Sequence, residues 1–277
     1  MAIEFRKLDR TDLEFALSIT NSERWYLTEY DLLYYLGPNG TGIIALDDDE
    51  RIGMATAALY GNVAWIGNVI VEEKKRQAGT GKVLMEELIS RLDRAGTETF
   101  LLYAYDRSRS LYERLGFTFD CTVWDVTVPR QAWEHAVPVY SGLSEEVLRF
   151  DNMFVRQSRA AMLRHILGRE GCKAFYSMSP SGSVSGYLLC SPGGIDYGSE
   201  VAPFIAEKAD ISSMLHALRD MQGPLHLYVP EENLAQLDSA GAAYTRTRRV
   251  HRGYMGSSSG VPVINGRVLS VGLLESG

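Results

Sequence analysis

Arg76-Gln77-Ala78-Gly79-Thr80-Gly81 decides the reading of this chain. Two glycines at alternate positions let the backbone turn tightly and let a ligand approach with no side chain in the way. A helix should follow, because Leu84, Leu88 and Leu92 recur every four residues with Met85 and Ile89 beside them, a stripe that faces a sheet. The first amides of such a helix lack internal partners and carry partial positive charge. Loop and helix together form an anion cradle suited to a pyrophosphate. Lys74, Lys75, Arg76 and Lys82 add four cations within nine residues. Glycines before a helix also serve plain turns, and two other phosphate motifs compete. A P-loop would need Gly at position 76 and Ser or Thr at position 83, where this chain has Arg76 and Val83. A dinucleotide fingerprint would follow an early strand and have an acidic residue after the next one; neither context fits.

Outward from the loop, the first half alternates strand and helix patterns. Strands are expected at Ile3–Leu8, Gly42–Leu46, Ile52–Tyr60, Val63–Val71, Thr99–Tyr105 and Phe117–Val128. Helices are expected at Thr11–Ile19, Trp25–Leu36 and Ser108–Leu115, the second unusually aromatic. Pro129, Pro138 and Gly142 then interrupt the pattern, which sets a domain boundary at 136/137. The second half repeats the order: helices at Glu145–Phe154 and Ser158–Leu167, strands at Ala174–Met178, Val184–Cys190 and Val201–Ile205, a helix at Ile211–Met221, a strand at Leu225–Val229, a helix at Glu231–Ala240 and a strand at Ala243–Tyr254. A further short strand is expected within Val268–Leu274. This is an α/β (α+β) chain of two tandem domains, 1–136 and 137–277.

Composition narrows the function. The 277 residues carry a formal net charge of -7, which disfavours nucleic acid and is compatible with a cationic substrate. No uninterrupted apolar run of about 18 residues argues for a membrane span, and the amino terminus lacks a signal-peptide pattern. Cys121, Cys172 and Cys190 are odd in number and widely spaced, which reads as reduced thiols in a cytoplasmic protein, with no zinc motif. His135, His165, His216, His226 and His251 show no metal-ligand spacing. Gly256-x-Ser258-x-Gly260 matches a nucleophile pattern but sits in a Ser- and Gly-rich tail with no strand-to-helix turn.

Val71-x-x-x-x-Arg76-x-x-Gly79-x-Gly81, followed by Leu111-Tyr112-Glu113-Arg114-Leu115-Gly116-Phe117, resembles the two signatures of the GCN5-related N-acetyltransferase (GNAT) superfamily. Trp25 with Asp31, and Phe154 through Arg159, resemble its tandem-domain YitH-like group. The resemblance implies two GNAT-like domains, each a mixed, mostly antiparallel twisted sheet flanked by helices, the second degenerate. It implies acetyl-CoA as co-substrate, without a metal. Backbone amides of Arg76, Gln77, Ala78, Gly79, Thr80 and Gly81, with Lys82 alongside, would hold the pyrophosphate. Main-chain groups of Val69, Ile70 and Val71 would pair with the pantetheine arm as if it were another strand. A splayed or bulged strand there would aim the thioester carbonyl at backbone donors. Tyr112 would protonate the departing thiolate. One departure is Tyr105, where the family often has Asn.

Trp25, Glu29 and Asp31 lie on the segment that should roof the acceptor site, and Glu72 follows the central strand; no general base is assigned among them. The second half has Ala206-Glu207-Lys208-Ala209-Asp210 where a glycine loop should stand, and Leu237 where a tyrosine should stand. It is expected to wall the acceptor pocket, mediate a homodimer or complete the core; Asp196, Tyr197 and Glu200 are polar candidates for an acceptor contact, although a plain loop surface is the favoured reading of them. The expected function is transfer of acetyl to a primary amine of a small molecule by direct attack in a ternary complex. A non-catalytic CoA-binding or ligand-sensing module, or a peptide or protein N-acetyltransferase, stands beside it.

Overall fold

The structure, a computed structural model, describes residues 3–76, 79–193 and 197–272. In chain order its regular elements are β1 (Glu4–Lys7), α1 (Leu13–Ser22), α2 (Glu29–Leu33), β2 (Gly40–Asp47), β3 (Glu50–Tyr60), β4 (Val63–Val71), α3 (Thr80–Arg94), β5 (Thr99–Tyr105), α4 (Asp106–Arg114), β6 (Thr118–Val128), β7 (Val139–Ser141), α5 (Glu145–Val155), α6 (Ala160–Gly168), β8 (Lys173–Met178), β9 (Val184–Pro192), β10 (Ser199–Ala206), α7 (Ile211–His216), β11 (Leu225–Pro230), α8 (Leu234–Ser239), β12 (Thr245–Gly256) and β13 (Val268–Ser270). They form two compact units. Unit 1 runs to Phe119 and takes in Gly253–Val261; unit 2 comprises Asp120–Arg252 and the stretch that begins at Pro262.

In unit 1 the strand order is β1-β2-β3-β4-β5, followed by the end of β12. β1 to β4 pair antiparallel, and β4 pairs β5 parallel. Asp48 and Asp49, at φ 49° and 65°, make the two-residue turn between β2 and β3, the left-handed geometry that matches hairpin twist and that Asp tolerates. α3 lays Leu84, Met85, Leu88 and Leu92 on a sheet face built of Ile43, Ala45, Ala55, Ala57, Ala64 and Ile66. The small alanines let the helix approach closely, and burial of each leucine stabilises the unit by about 1.5–3 kcal/mol.

In unit 2 the order is β6-β11-β10-β9-β8-β7, with β13 also paired to β10. The sequence α5, α6, β8, β9, β10, α7, β11, α8 repeats α1, α2, β2, β3, β4, α3, β5, α4 of unit 1, a mixed sheet flanked by helices in each case. Its core joins Val126, Leu188, Val201, Phe204, Leu215, Leu227 and Leu237. Within the Phe154–Arg159 stretch, Arg159 is buried and pairs with Asp151 at 2.9 Å. Tyr187 donates a hydrogen bond to the same carboxylate, so the buried charge pair is enclosed by hydrogen bonds.

Three expectations change on inspection. The helix read over Trp25–Leu36 reduces to α2 plus a 3-10 turn at Tyr34–Leu36. Tyr26 takes φ 54°, which a helix excludes, and Thr28 and Asp31 close a capping box that starts the helix afresh. The helix read over Ile211–Met221 ends at His216 and continues as tighter turns, with Leu218 N bonded to Leu215 O and Met221 N to Leu218 O. β7 lies in the stretch read as a break. No helix among the described residues is long and apolar enough to cross a membrane.

Candidate functional site

β4 is irregular where it matters. Met54 faces Ile70 and Thr56 faces Gly67, so Asn68 and Val69 together oppose the single residue Ala55. This is a β-bulge. Asn68 sits at φ 49°, a left-handed conformation that Asn adopts more readily than most residues. Its Nδ2 donates to Thr56 Oγ1 at 3.0 Å, and Thr56 Oγ1 donates to Gly67 O at 3.2 Å, both buried. The bulge is therefore pinned by two buried polar side chains, Asn68 of β4 and Thr56 of the neighbouring β3.

The parallel ladder between β4 and β5 covers only Val63–Trp65 against Thr99–Leu101. Beyond it the two strands separate, although each continues, to Val71 and Tyr105 respectively. Trp65 and Tyr103 stack across the opening, with centroids 5.1 Å apart at 21°. The buried indole Nε1 of Trp65 has no hydrogen-bond partner among the described residues. The remainder of β4 thus presents an open edge. Glu72 N bonds to Ile52 O at 2.8 Å. By antiparallel alternation, Val71, opposite Gly53, turns its backbone groups outward to that edge.

β4 leads into a 3-10 turn at Glu73–Lys75 and then the glycine loop. Thr80 Oγ1 donates to Lys75 O at 3.0 Å, which ties the end of the loop to its start. Gly79 caps α3 at φ 83°, and among the described residues beyond its chain neighbours no atom lies within 4 Å of where its Cβ would stand. A Cβ on Gly81 would meet only Val71 Cγ2 and Leu111 Cδ2, each at 3.9 Å. The amide of Arg76, expected among the pyrophosphate donors, bonds instead to Glu73 O at 3.3 Å. Gln77 and Ala78 lie outside the described residues. Lys82 is exposed and pairs with Glu86 at 3.3 Å.

Arg76 acts through its side chain. Nε donates to Val71 O at 2.8 Å, and Nη2 meets Glu23 at 2.7 Å. Arg107 reaches the same carboxylate at 3.1 Å. Partial burial opposes ionisation of Glu23, yet the two guanidiniums hold its carboxyl below the ordinary range. Glu23 and Arg107 thereby join the end of α1 and the start of α4 to the loop. Tyr105, the departure noted above, precedes α4, with the Arg107 guanidinium 5.6 Å from its ring centre.

Tyr112 is buried in the cluster that holds Val71, Leu84, Leu88 and Phe117. Its ring meets Phe117 edge to face at 6.0 Å. Burial pushes its phenol up to about 12, so it is a proton-bearing group throughout the neutral range. Of the roof residues, Trp25 is half-buried and Glu29 is exposed. Asp31 is engaged at its helix cap, accepting from Thr28 N at 2.7 Å and Thr28 Oγ1 at 2.6 Å. Glu72 is half-buried.

Unit 2 differs at each matching point. Asp210 in the loop accepts from Ser177 and Ser185, and Glu207 pairs with Arg267. Leu237 is fully buried. β10 and β11 pair in parallel only at Ser199–Glu200 with Leu225–His226 and then separate, as β4 and β5 do. Here, however, β13 fills the gap. It pairs with β10 at Phe204 and Ile205, while Tyr228 N donates to Ser270 Oγ and Val271 N to Tyr228 O, each at 2.9 Å. Tyr197 and Glu200 lie by β11; Asp196 is outside the described residues. Among the described residues no group of His, Cys, Asp and Glu is gathered to hold a metal ion.

Sequence reasoning missed Glu23, Arg107, Thr56 and Asn68. For Asn68 a signal existed, an amide side chain in the middle of Val63–Val71; for the others none did.

Residues 4–117 match the model of the acetyltransferase (GNAT) family. No curated protein matches the sequence. Among solved structures, the chain is similar to a putative acetyltransferase from Pyrococcus horikoshii, at TM-score 0.83 and 18% identity over 99% of this chain and 96% of that one. It is also similar to a tandem GNAT protein from the clavulanic acid biosynthesis pathway, at TM-score 0.62 and 11% identity over 95% and 100% of the two chains. A GCN5-related N-acetyltransferase from Anabaena variabilis gives TM-score 0.63 and 10% identity over 91% of this chain and 72% of that one. These likenesses establish a tandem GNAT-like fold.

Proposed function

We propose that the chain is a cytoplasmic N-acetyltransferase of the tandem YitH-like group, which transfers acetyl from acetyl-CoA to a primary amine of a small molecule by direct attack in a ternary complex. The observation that supports it most is the separation of β4 from β5, whose open edge runs from the Asn68 bulge to the glycine loop. A narrow molecule with amides along its length and a pyrophosphate beyond them matches that series, strand edge first and anion cradle next. The open space around Gly79 satisfies the same test at the loop.

Bound, acetyl-CoA supplies an acetyl group activated as a thioester. The amides of Gly79, Thr80 and Gly81 hold its pyrophosphate, with Gln77 and Ala78 and the charge of Lys82 assigned alongside them. Val69 and Val71 offer the backbone edge, whereas Ile70, expected to join them, alternates inward and gives its backbone groups to Met54 of β3. The Val71 carbonyl already accepts from Arg76, so Val69 and the remaining Val71 amide bear most of that pairing. Arg76, held by Glu23, fixes the bend between strand and loop. Tyr112 Oη retains its proton and delivers it to the leaving sulfur, a role for which a neutral phenol is the required form. Unit 2 holds no second CoA, because its loop is acidic and its strand gap is filled.

The test is incubation of the full chain with acetyl-CoA and a panel of small primary amines, with thiol release followed alongside the acetylated product. Amine-dependent release with a matching product is expected. CoA binding without transfer to any amine would instead favour a binding module, and transfer confined to peptide amino termini would move the acceptor class.

A further inference from the structure

Both units carry a bulge at the same place in the sheet, but only one of them is held by polar side chains. In unit 1, Asn68 and Val69 of β4 oppose Ala55 of β3. In unit 2, Val201 faces Cys190 and Phe204 faces Leu188, so Ala202 and Pro203 of β10 oppose Leu189 of β9. Position by position, Cys190 stands for Thr56, Ala202 for Asn68 and Pro203 for Val69. The fold therefore keeps its bulge without an amide side chain, and with a proline that has no backbone N–H to donate. What unit 1 adds is the Asn68–Thr56 pair and a free amide at Val69, in the unit that also has the glycine loop.

The pair is costly to maintain unless it does something. Asn68 is 5% exposed and Thr56 is fully buried, and buried polar groups cost free energy unless hydrogen-bonded. At φ 49° glycine would serve without strain. The Thr56 hydroxyl accepts from Asn68 Nδ2 and donates to Gly67 O, so it clamps both residues to β3. Register gives the clamp a purpose. Ile70 turns its backbone groups to Met54, so by alternation Val69 turns its amide away from β3, to the edge left open by β5. If the extra residue moved one place toward Ile70, Val69 would face Met54 and its amide would turn back into the sheet.

We propose that Asn68 and Thr56 are positioning residues for acetyl transfer, which hold the bulge in one register and so keep the Val69 amide directed at the thioester oxygen. The inference rests on the transferase reading above. An amide fixed there meets the negative charge that develops on that oxygen as the amine attacks. The two side chains act through the backbone and touch no substrate. In unit 2 the matching proline offers no such donor.

The test is the infrared band of acetyl-CoA isotopically labelled at the acetyl carbonyl and bound to the full chain, taken as a difference against the unlabelled compound. In the parent the band should be single and lie below its position in water. Asn68→Gly keeps the backbone conformation and removes the clamp, and Thr56→Val keeps the volume and removes the hydroxyl. Each should return the band toward its solution position, and Thr56→Ser, which retains the hydroxyl, should give the parent's band. CoA itself lacks the carbonyl, so its affinity should be unchanged throughout, which also shows that each variant has folded. Should Thr56→Val fail to fold, Asn68→Gly supplies the comparison. With an amine acceptor, turnover should fall by about tenfold to a hundredfold in the two clamp-breaking variants, the scale of a small misplacement, while KM for acetyl-CoA holds. A parent that binds no acetyl-CoA would remove the transferase reading and this inference with it. Binding with the carbonyl at its solution position, or the parent's band in the folded clamp-breaking variants, would overturn this inference alone.

Discussion

Replacing Gly79 with glutamate separates the loop's structural use from its ligand use. At φ 83° a residue with a Cβ is strained by about 1–2 kcal/mol, but no atom of the described residues beyond its chain neighbours lies within 4 Å to clash with it. Unit 1 should therefore fold, with stability reduced by roughly that strain. Binding should suffer more. The new side chain would enter the space proposed for the pyrophosphate and bring a negative charge close to it. Two unit charges at about 4 Å repel by about 1 kcal/mol in water and about 4 kcal/mol at a dielectric of 20. That corresponds to a loss of CoA affinity from about fivefold to nearly a thousandfold. Gly79→Gln carries the same backbone strain and nearly the same volume without the charge, so the difference between the two variants isolates the electrostatic part. That part should shrink as salt is raised toward 1 M, where the Debye length is about 3 Å. Calorimetric titration of CoA into parent and variants, with thermal unfolding of each, supplies both quantities. If Gly79→Glu loses stability as expected yet binds CoA with the parent's affinity, the loop does not hold the pyrophosphate.

Tyr112→Phe keeps the ring and its contact with Phe117, and should lower turnover at saturating acetyl-CoA by about 10²-fold, the low end for general acid catalysis, with CoA affinity unchanged; turnover within about twofold of the parent would reduce Tyr112 to packing. The same phenol is raised to about 12 from an ordinary 10, so the stability it contributes is complete below pH 10 and is lost as pH rises toward 12; a urea series across that range should fall less steeply in Tyr112→Phe. At the acid end, burial opposes ionisation of Asp12, but hydrogen bonds from Arg6 and Arg51 hold it at about 2; its contribution is complete above pH 3.8 and is lost as pH falls through 2, and Asp12→Asn should flatten that limb while costing about 1–3 kcal/mol at neutral pH. Titration should give one CoA per chain, and a measured stoichiometry of two would remove the assignment of unit 2.

Much of this was legible because periodicity and side-chain volume suffice for buried elements. Thr99–Tyr105 is a strand as read, and the Leu84, Leu88, Leu92 stripe is buried as read. What escaped depends on pairing or on single dihedral angles. The Trp25–Leu36 pattern looks helical throughout, yet Tyr26 at φ 54° breaks it, and the Thr28-x-x-Asp31 spacing was the overlooked cue. The opening between β4 and β5 cannot be seen in either strand alone, since both remain strands beyond it. Arg76 and Arg107 meet at the Glu23 carboxylate from distant parts of the chain, and a charged residue at a helix end has no pattern that announces its partner. The passage between units at Phe119–Asp120 falls inside β6, where no proline or glycine marks it.

The Gly253–Val261 segment of unit 1 bears on the order in which the protein can be made. Ser257 N bonds to Glu98 O at 2.9 Å and Thr99 Oγ1 to Ser257 O at 2.8 Å, and the end of β12 lies beside β5. The whole of Asp120–Arg252 is synthesised between Phe119 and this segment. At about 5–20 residues per second, the β5 flank of unit 1 waits on the order of ten seconds on the ribosome for its covering strand. During that interval it is an exposed sheet edge of the kind that pairs with other chains. A fragment ending at Phe119 would keep the entire glycine loop and never receive that strand, so its aggregation would report a missing neighbour, with no bearing on whether the loop binds its ligand.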